Sequence, residues 1–207
     1  MTAAVAASLA TPTEMVTSAE GDAGLLARCR EGDQGAFRLL YQRHARQVMA
    51  HASRLGLRAS EVEDVAQDVF SALFEDVQRI RAETLEAWLY RLTSNRVNDR
   101  HRRRRVRETF ARILGRADEG TEGSPAEAAL ERRDAQRLVR QIVERMGKKK
   151  RDVFVMFELE KIPGEQIAER LGIPLATVWT RLHHARLDFV RIGRALELAD
   201  RQARGPR

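Results

Sequence analysis

The stretch EQIAERLGIPLATVWTRLHHAR, residues 165–186, constrains the fold more than any other. Two helical periodicities meet there at a Gly172-Ile173-Pro174 break. Ile167, Ala168 and Leu171 line one face of the first. In the second, apolar residues recur at Val178, Leu182, Ala185, Phe189, Ile192 and Leu196, the three-and-four spacing of a helix with one buried side. Glycine ends a helix and proline cannot prolong one, so the pair predicts a helix-turn-helix. Such a unit either reads DNA or packs as ordinary helices, and the motif alone leaves both open.

The same periodicity runs through the rest of the chain, with no strand pattern and no internal repeat. SEVEDVAQDVFSALFEDVQRI carries an apolar stripe at Val62, Val65, Ala66, Val69, Phe70, Leu73, Phe74 and Val77. Ser60 and Glu63 are expected to form its capping box. Its other face is acidic: Glu63, Asp64, Gln67, Asp68, Ser71 and Glu75. Upstream, Asp33 is the expected N-cap of a helix burying Phe37, Leu40, Tyr41 and Val48. Downstream, Leu85, Trp88, Leu89 and Leu92 mark the buried side of a helix that runs into an arginine-rich end.

GRADEGTEGSP then breaks all periodicity and is read as a linker. Ser124 with Glu127 and a first-turn Pro125 restarts a helix; Leu138, Val139, Ile142, Val143 and Met146 point inward, and Gly147 is its expected cap. The expected fold is all-α: two small helical domains joined by a flexible linker. A tail spans 1–23, the first domain 24–108, the linker 109–123, the second domain 124–198 and a C-terminal tail 199–207.

A formal net charge of +7 makes a polyanion a suitable partner. Arg91, Asn95, Asn98, Arg102 and Arg105 fall on one helical stripe, successive positions about 5–6 Å apart, with arginines suited to a phosphate backbone and amides between them for base edges. Trp88 and Tyr90 lie nearby as stacking candidates, although Trp88 also sits on the apolar face. On the second helix of the opening motif Ala176, Thr180 and His183 project away from the buried line. Thr177 and His184 flank them on one side, Trp179 on the other, and Arg181 and Arg186 border the buried strip. Small residues there allow close approach to base edges in a major groove.

Enzymatic chemistry finds no footing. His183 and His184, as neighbours, point about 100° apart and cannot share a metal as an i, i+4 pair does. No glycine-rich phosphate loop or nucleophile elbow is present. No cofactor is expected. Cys29 stands alone, so no intrachain disulfide forms, which suits a reducing cytoplasm. No run approaches the roughly 18 apolar residues of a bilayer span, so membrane insertion is not expected.

Three segments, EDVAQDVF, LEAWLYRLTSNRVNDRHRR and EQIAERLGIPLATVWTRLHHAR, in that order and spacing, resemble the extracytoplasmic-function (ECF) group of bacterial RNA polymerase sigma factors. The resemblance implies a sigma-2-like and a sigma-4-like domain, and a protein that directs core polymerase to promoters without being an enzyme. It implies that Asp64, Gln67, Asp68 and Glu75 meet the clamp coiled coil of the polymerase beta-prime subunit, with the beta subunit as a further contact. The loop carrying Arg79 and Arg81, with Arg91, Asn95, Asn98, Arg102 and Arg105, would melt and hold the −10 promoter element. Ala176, Thr177, Trp179, Thr180, Arg181, His184 and Arg186 would read the −35 duplex. An anti-sigma protein is the further partner the family implies. The chain departs from the family's usual Gly-Thr-Val-Lys-Ser-Arg at 176–181, and has His184 where Arg is frequent. Two other readings compete: a stand-alone helix-turn-helix regulator, and a nucleic-acid enzyme with a helix-turn-helix targeting domain.

Overall fold

The computed structural model describes residues 20–113 and 127–203, with side chains for 20–107 and 134–202. All regular structure among these is helical: α1 (Asp22–Arg30), α2 (Gln34–Arg54), α3 (Ala59–Asp76), a 3-10 turn (Ala82–Thr84), α4 (Leu85–Ile113), α5 (Glu127–Arg145), α6 (Lys148–Phe154), α7 (Gly164–Leu171) and α8 (Leu175–Ala203). No described helix is long and apolar enough to cross a membrane.

In the first half, α2 lies between α1, α3 and α4, and Leu25, Leu40, Val48, Val65, Val69, Leu73, Leu85 and Val97 fill the space between them. Asp33 caps α2 as expected, accepting from the Gly35 and Ala36 amides at 2.7 and 3.2 Å. The capping box of α3 differs from expectation. The helix starts at Ala59, not after Ser60, and Glu61 reaches back to the Arg58 amide at 3.2 Å. Arginine has no acceptor, so only that half of the box forms. Two aromatics expected inside also differ: Tyr41 and Phe74 are exposed, and small residues (Ala36, Ala45, Ala52) take the close contacts of α2.

In the second half, α8 packs on α5, α6 and α7. Gly147, expected to end α5, instead stands extended as the N-cap of α6. After Phe154 the helix widens into a π turn, Val155–Leu159, closed by the Glu160 amide on the Val155 carbonyl. Gly172 ends α7 in the left-handed region at φ 63°, and the Ile173 amide returns to the Ala168 carbonyl at 3.0 Å. The expected helix-turn-helix is therefore present, stopped by the glycine and restarted after Pro174.

Boundaries shift at three points. Asp22 already belongs to α1, α4 continues through Ile113 into the span read as linker, and α8 runs through Ala203 into the span read as tail. Residues 114–126, including Ser124 and Pro125 of the second expected capping box, lie outside the described residues.

The two halves pack against each other, α4 against α6 and α7. Gly56 shows how close they come: its φ of +97° requires glycine, and a Cβ there would sit 3.3 Å from backbone atoms of Arg140 and Glu144 on α5.

Candidate nucleic-acid interface

The acidic face of α3 divides in two. Asp64 and Asp68, one turn apart and at least half exposed, both reach Arg100 of α4 at 3.3 Å. Gln67 and Glu75 instead rim a groove floored by Phe37, Tyr41, Met49, Phe70 and Phe74. The expected polymerase-binding residues thus lie on one helix but border two different neighbours.

Arg79 and Arg81 are exposed on the loop before α4. Sequence reasoning missed what shapes that loop. Arg30 of α1 donates to the Val77 and Ile80 carbonyls at 3.3 and 2.6 Å, and Gln78 returns a bond to the Arg30 carbonyl at 3.0 Å. Arg30 was legible only as a helix-terminal cation, because nothing local shows what it reaches 47 residues on.

Along α4 the expected stripe is partly occupied. Asn95 and Arg102 face outward, and Arg102 lines an open groove with Arg100, Arg103 and Arg107, where Glu61 and Asp99 also stand and the arginines outnumber the carboxylates. Arg91, Asn98 and Arg105 are engaged by the second half: Arg91 donates to the Arg170 carbonyl at 3.2 Å, Asn98 accepts from Arg151 at 3.4 Å, and Arg105 donates to the Glu144 carbonyl at 2.6 Å. Tyr90 is not a stacking surface. It is buried, with Arg170 over its ring at 4.8 Å and His51 against it at 4.5 Å.

The same helix turns a second, polar side inward. Ser94 donates to Asp152 at 2.6 Å, and Arg104 joins Glu61 and Glu144 at 3.1 and 2.7 Å. His101, buried, donates from Nε2 to the Leu55 carbonyl at 3.0 Å, which makes Nδ1 the acceptor for Arg104 at 2.7 Å. Burial first, then the Arg151 charge, push His101 down to about 3, so the ring is neutral. Nearby, His51 meets Glu160 at 2.8 Å. A signal existed: Val97, His101 and Arg104 continue the buried face at i, i+4 and i+7, masked by the surrounding arginines.

On α8, Ala176, Thr180, His183, His184 and Arg186 are exposed, while Thr177 and Arg181 are half-buried. Trp179 is partly seated: its ring lies over Gly164, where a Cβ would come within 2.6 Å, and edge-on to Phe157 at 5.6 Å. Arg186 is also held, by Glu158 at 2.7 Å and above the Phe157 ring at 5.7 Å. The π turn supplies both Phe157 and Glu158, so it is what holds Arg186.

Two surfaces able to meet nucleic acid therefore sit on separate halves: an Arg/Asn helix with a cationic loop, and a helix-turn-helix. Family models match each. Sigma-70 region 2 covers residues 40–118 and Sigma-70, region 4 covers 136–189, together well over half of the chain. The chain is 29% identical to the RNA polymerase sigma factor NccH of Alcaligenes xylosoxydans xylosoxydans, over 83% of this chain and 94% of that one. It is 28% identical to the ECF RNA polymerase sigma factor SigE of Mycolicibacterium smegmatis, over 85% and 70%. Among solved structures, CnrH in complex with the cytosolic domain of CnrY superposes at a TM-score of 0.58, with 24% identity over 88% of this chain and 100% of that one. The sigma factor RpoE in complex with the anti-sigma factor NepR, from Bartonella quintana, superposes at 0.54, with 19% identity over 75% and 95%. The region 2 match falls on the acidic helix and the Arg/Asn stripe and the region 4 match on the helix-turn-helix, and with that the chain belongs to the extracytoplasmic-function group of RNA polymerase sigma factors.

Proposed function

We propose that this sigma factor divides promoter recognition between its halves. Asp64 and Asp68, with Gln67 and Glu75, dock α3 on the beta-prime clamp coiled coil, and the beta subunit contacts the second half. Arg79 and Arg81 on the loop, with Asn95 and Arg102 on α4, meet the −10 element as it melts. Ala176, Thr177, Thr180, Arg181 and His184 face the −35 duplex from α8, with Trp179 and Arg186 on its edge. The observation that supports the division most is the outward presentation of Asn95 and Arg102 on α4, Arg102 within an arginine-lined groove, on a different half from the helix-turn-helix.

Arg91, Asn98 and Arg105 join the −10 surface only when the second half moves away, because that half now occupies them. The protein works in the cytoplasm, by binding and without bond chemistry of its own. Since the similar structures are complexes, one of them with a named anti-sigma factor, an anti-sigma protein is the third partner.

The test is run-off transcription with purified core polymerase. Promoter-specific initiation that persists without this protein would refute the reading. Asp64→Arg combined with Asp68→Arg places two cations beside Arg100 and opposes a basic clamp. Core pull-down should fall at least tenfold with helical content unchanged. Normal pull-down removes α3 from the interface.

A further inference from the structure

We propose that α8 reads its duplex through thymine methyl groups, using Ala176 and Thr180. The inference rests on the reading of α8 as the −35 helix and names the chemistry it recognises there.

At about 100° per residue, Ala176, Thr180, His183 and Leu187 fall on one outward line. Ala176, Thr180 and His183 are exposed, and Leu187 keeps 56% of its surface. The side chains that make paired hydrogen bonds to bases (arginine, lysine, asparagine and glutamine) are absent from that line. The two arginines on this part of α8 lie elsewhere. Arg186 is taken by Glu158 and Phe157, and Arg181 is half-buried on the flank, where a phosphate is the nearer target.

Thr180 is less polar than its name. Its hydroxyl donates to the Ala176 carbonyl at 2.9 Å. That bond uses its only hydrogen and fixes the staggered rotamer, so the Cγ2 methyl and the acceptor lone pairs are what remain for a partner. Beside it stands the Ala176 methyl, one turn away. In the major groove, alanine and threonine methyls complement the thymine 5-methyl group, which no other base carries. The four-residue step from Ala176 to Thr180 rises about 6 Å, close to two base steps of about 3.4 Å. The two methyls therefore address thymines within about two steps of one another. His183 and His184, edge to face at 5.5 Å, supply the polar part of the readout further along.

The experiment uses holoenzyme, core polymerase with the full-length protein. Duplexes are selected from a pool randomised over the −35 and −10 segments. The best duplex is then remade with deoxyuridine in place of each −35 thymine in turn, removing one methyl and nothing else. Loss of about fourfold in binding is expected at one or two positions, the scale of a single buried methyl. Thr180→Ser keeps the hydroxyl and lacks the methyl, so at one of those positions it should bind thymine and deoxyuridine equally. Thr180→Val keeps the methyl and should still discriminate. If no deoxyuridine matters while scrambling the −35 segment still abolishes binding, the methyl readout is wrong and the −35 assignment stands. If Thr180→Ser discriminates at every position like the parent, Thr180 is not the reader. If scrambling the −35 segment has no effect, the assignment of α8 fails and the methyl readout falls with it.

Discussion

Gly164 and Trp179 depend on each other. A Cβ at 164 would lie 2.6 and 2.7 Å from two indole carbons and 3.3 Å from a Leu175 methyl. Gly164→Ala must therefore lift the ring, which can swing outward because it is already half exposed. Losing the edge contact to Phe157 costs about 0.5–1.5 kcal/mol. Replacing a glycine of ordinary φ by alanine returns about 0.4–1 kcal/mol through the unfolded chain, so stability should hardly change while the ring moves. In a Trp88→Phe background Trp179 is the only indole. Its emission should shift to the red with Gly164→Ala, and an unshifted spectrum would show that the ring does not rest on Gly164. His101 is a second residue with a measurable consequence. Its pKa falls from the usual 6.5 to about 3, so protonation favours the unfolded chain. The stability it contributes is whole above pH 6.5 and drains as pH drops toward 3. Between pH 7 and pH 5 that amounts to about 2 kcal/mol. Urea titrations at the two pH values should show that loss, and His101→Gln should flatten it. A variant that keeps the full slope would assign the effect to other groups.

At the scale of elements, α1 holds the loop that α4 presents. Arg30 spans two carbonyls, of Val77 and Ile80, with different nitrogens of one guanidinium. Lysine concentrates its donors on one shorter-reaching nitrogen and lacks the planar fork that meets the two carbonyls separately. Arg30→Lys should raise amide exchange of residues 77–83 about tenfold, with a change in global stability under about 1.5 kcal/mol; unchanged exchange would mean the loop holds its own shape. This element also marks the limit of what periodicity discloses. The apolar faces of α3 and α8, the Asp33 cap and the stop at Gly172 follow from local rules, and each is where the sequence puts it. Exposure of Phe74 and Tyr41 does not follow. A 3.6-residue period says which residues share a face, not how wide the neighbouring helix is. The roles of Arg30 and of the buried His101 and Arg104 were illegible for the same reason, since their partners lie on distant segments. For the candidate site the outcome was mixed: the stripe on α4 was legible, but its sharing with the second half was not.

For the whole molecule the question is how firmly the halves hold together. Their junction is polar and incompletely satisfied. Arg151, fully buried, leaves Nε without a partner, and Glu160 leaves one carboxylate oxygen unbonded. Each such atom costs about 1–3 kcal/mol that hydration would recover on opening. Against that stand the pairs that close it, Glu144 with Arg104 foremost. An exposed pair would contribute at most about 1 kcal/mol. Arg104 is only 8% exposed but keeps Glu61 at 3.1 Å, so losing Glu144 costs more than an exposed pair and less than a buried charge left alone, which costs about 3–5 kcal/mol. Glu144→Arg would put a third cation beside Arg104 and Arg105, so rehydrating the junction becomes the cheaper response. The variant should show a larger radius of gyration by small-angle scattering. Arg91, Asn98 and Arg105 would then be uncovered, and affinity for a single-stranded DNA 12-mer at low salt should rise severalfold. That gain should shrink as salt is added, because the freed cations act through phosphates. A variant with parental dimensions and parental affinity would mean that the Glu144 contact does not keep the proposed −10 surface covered.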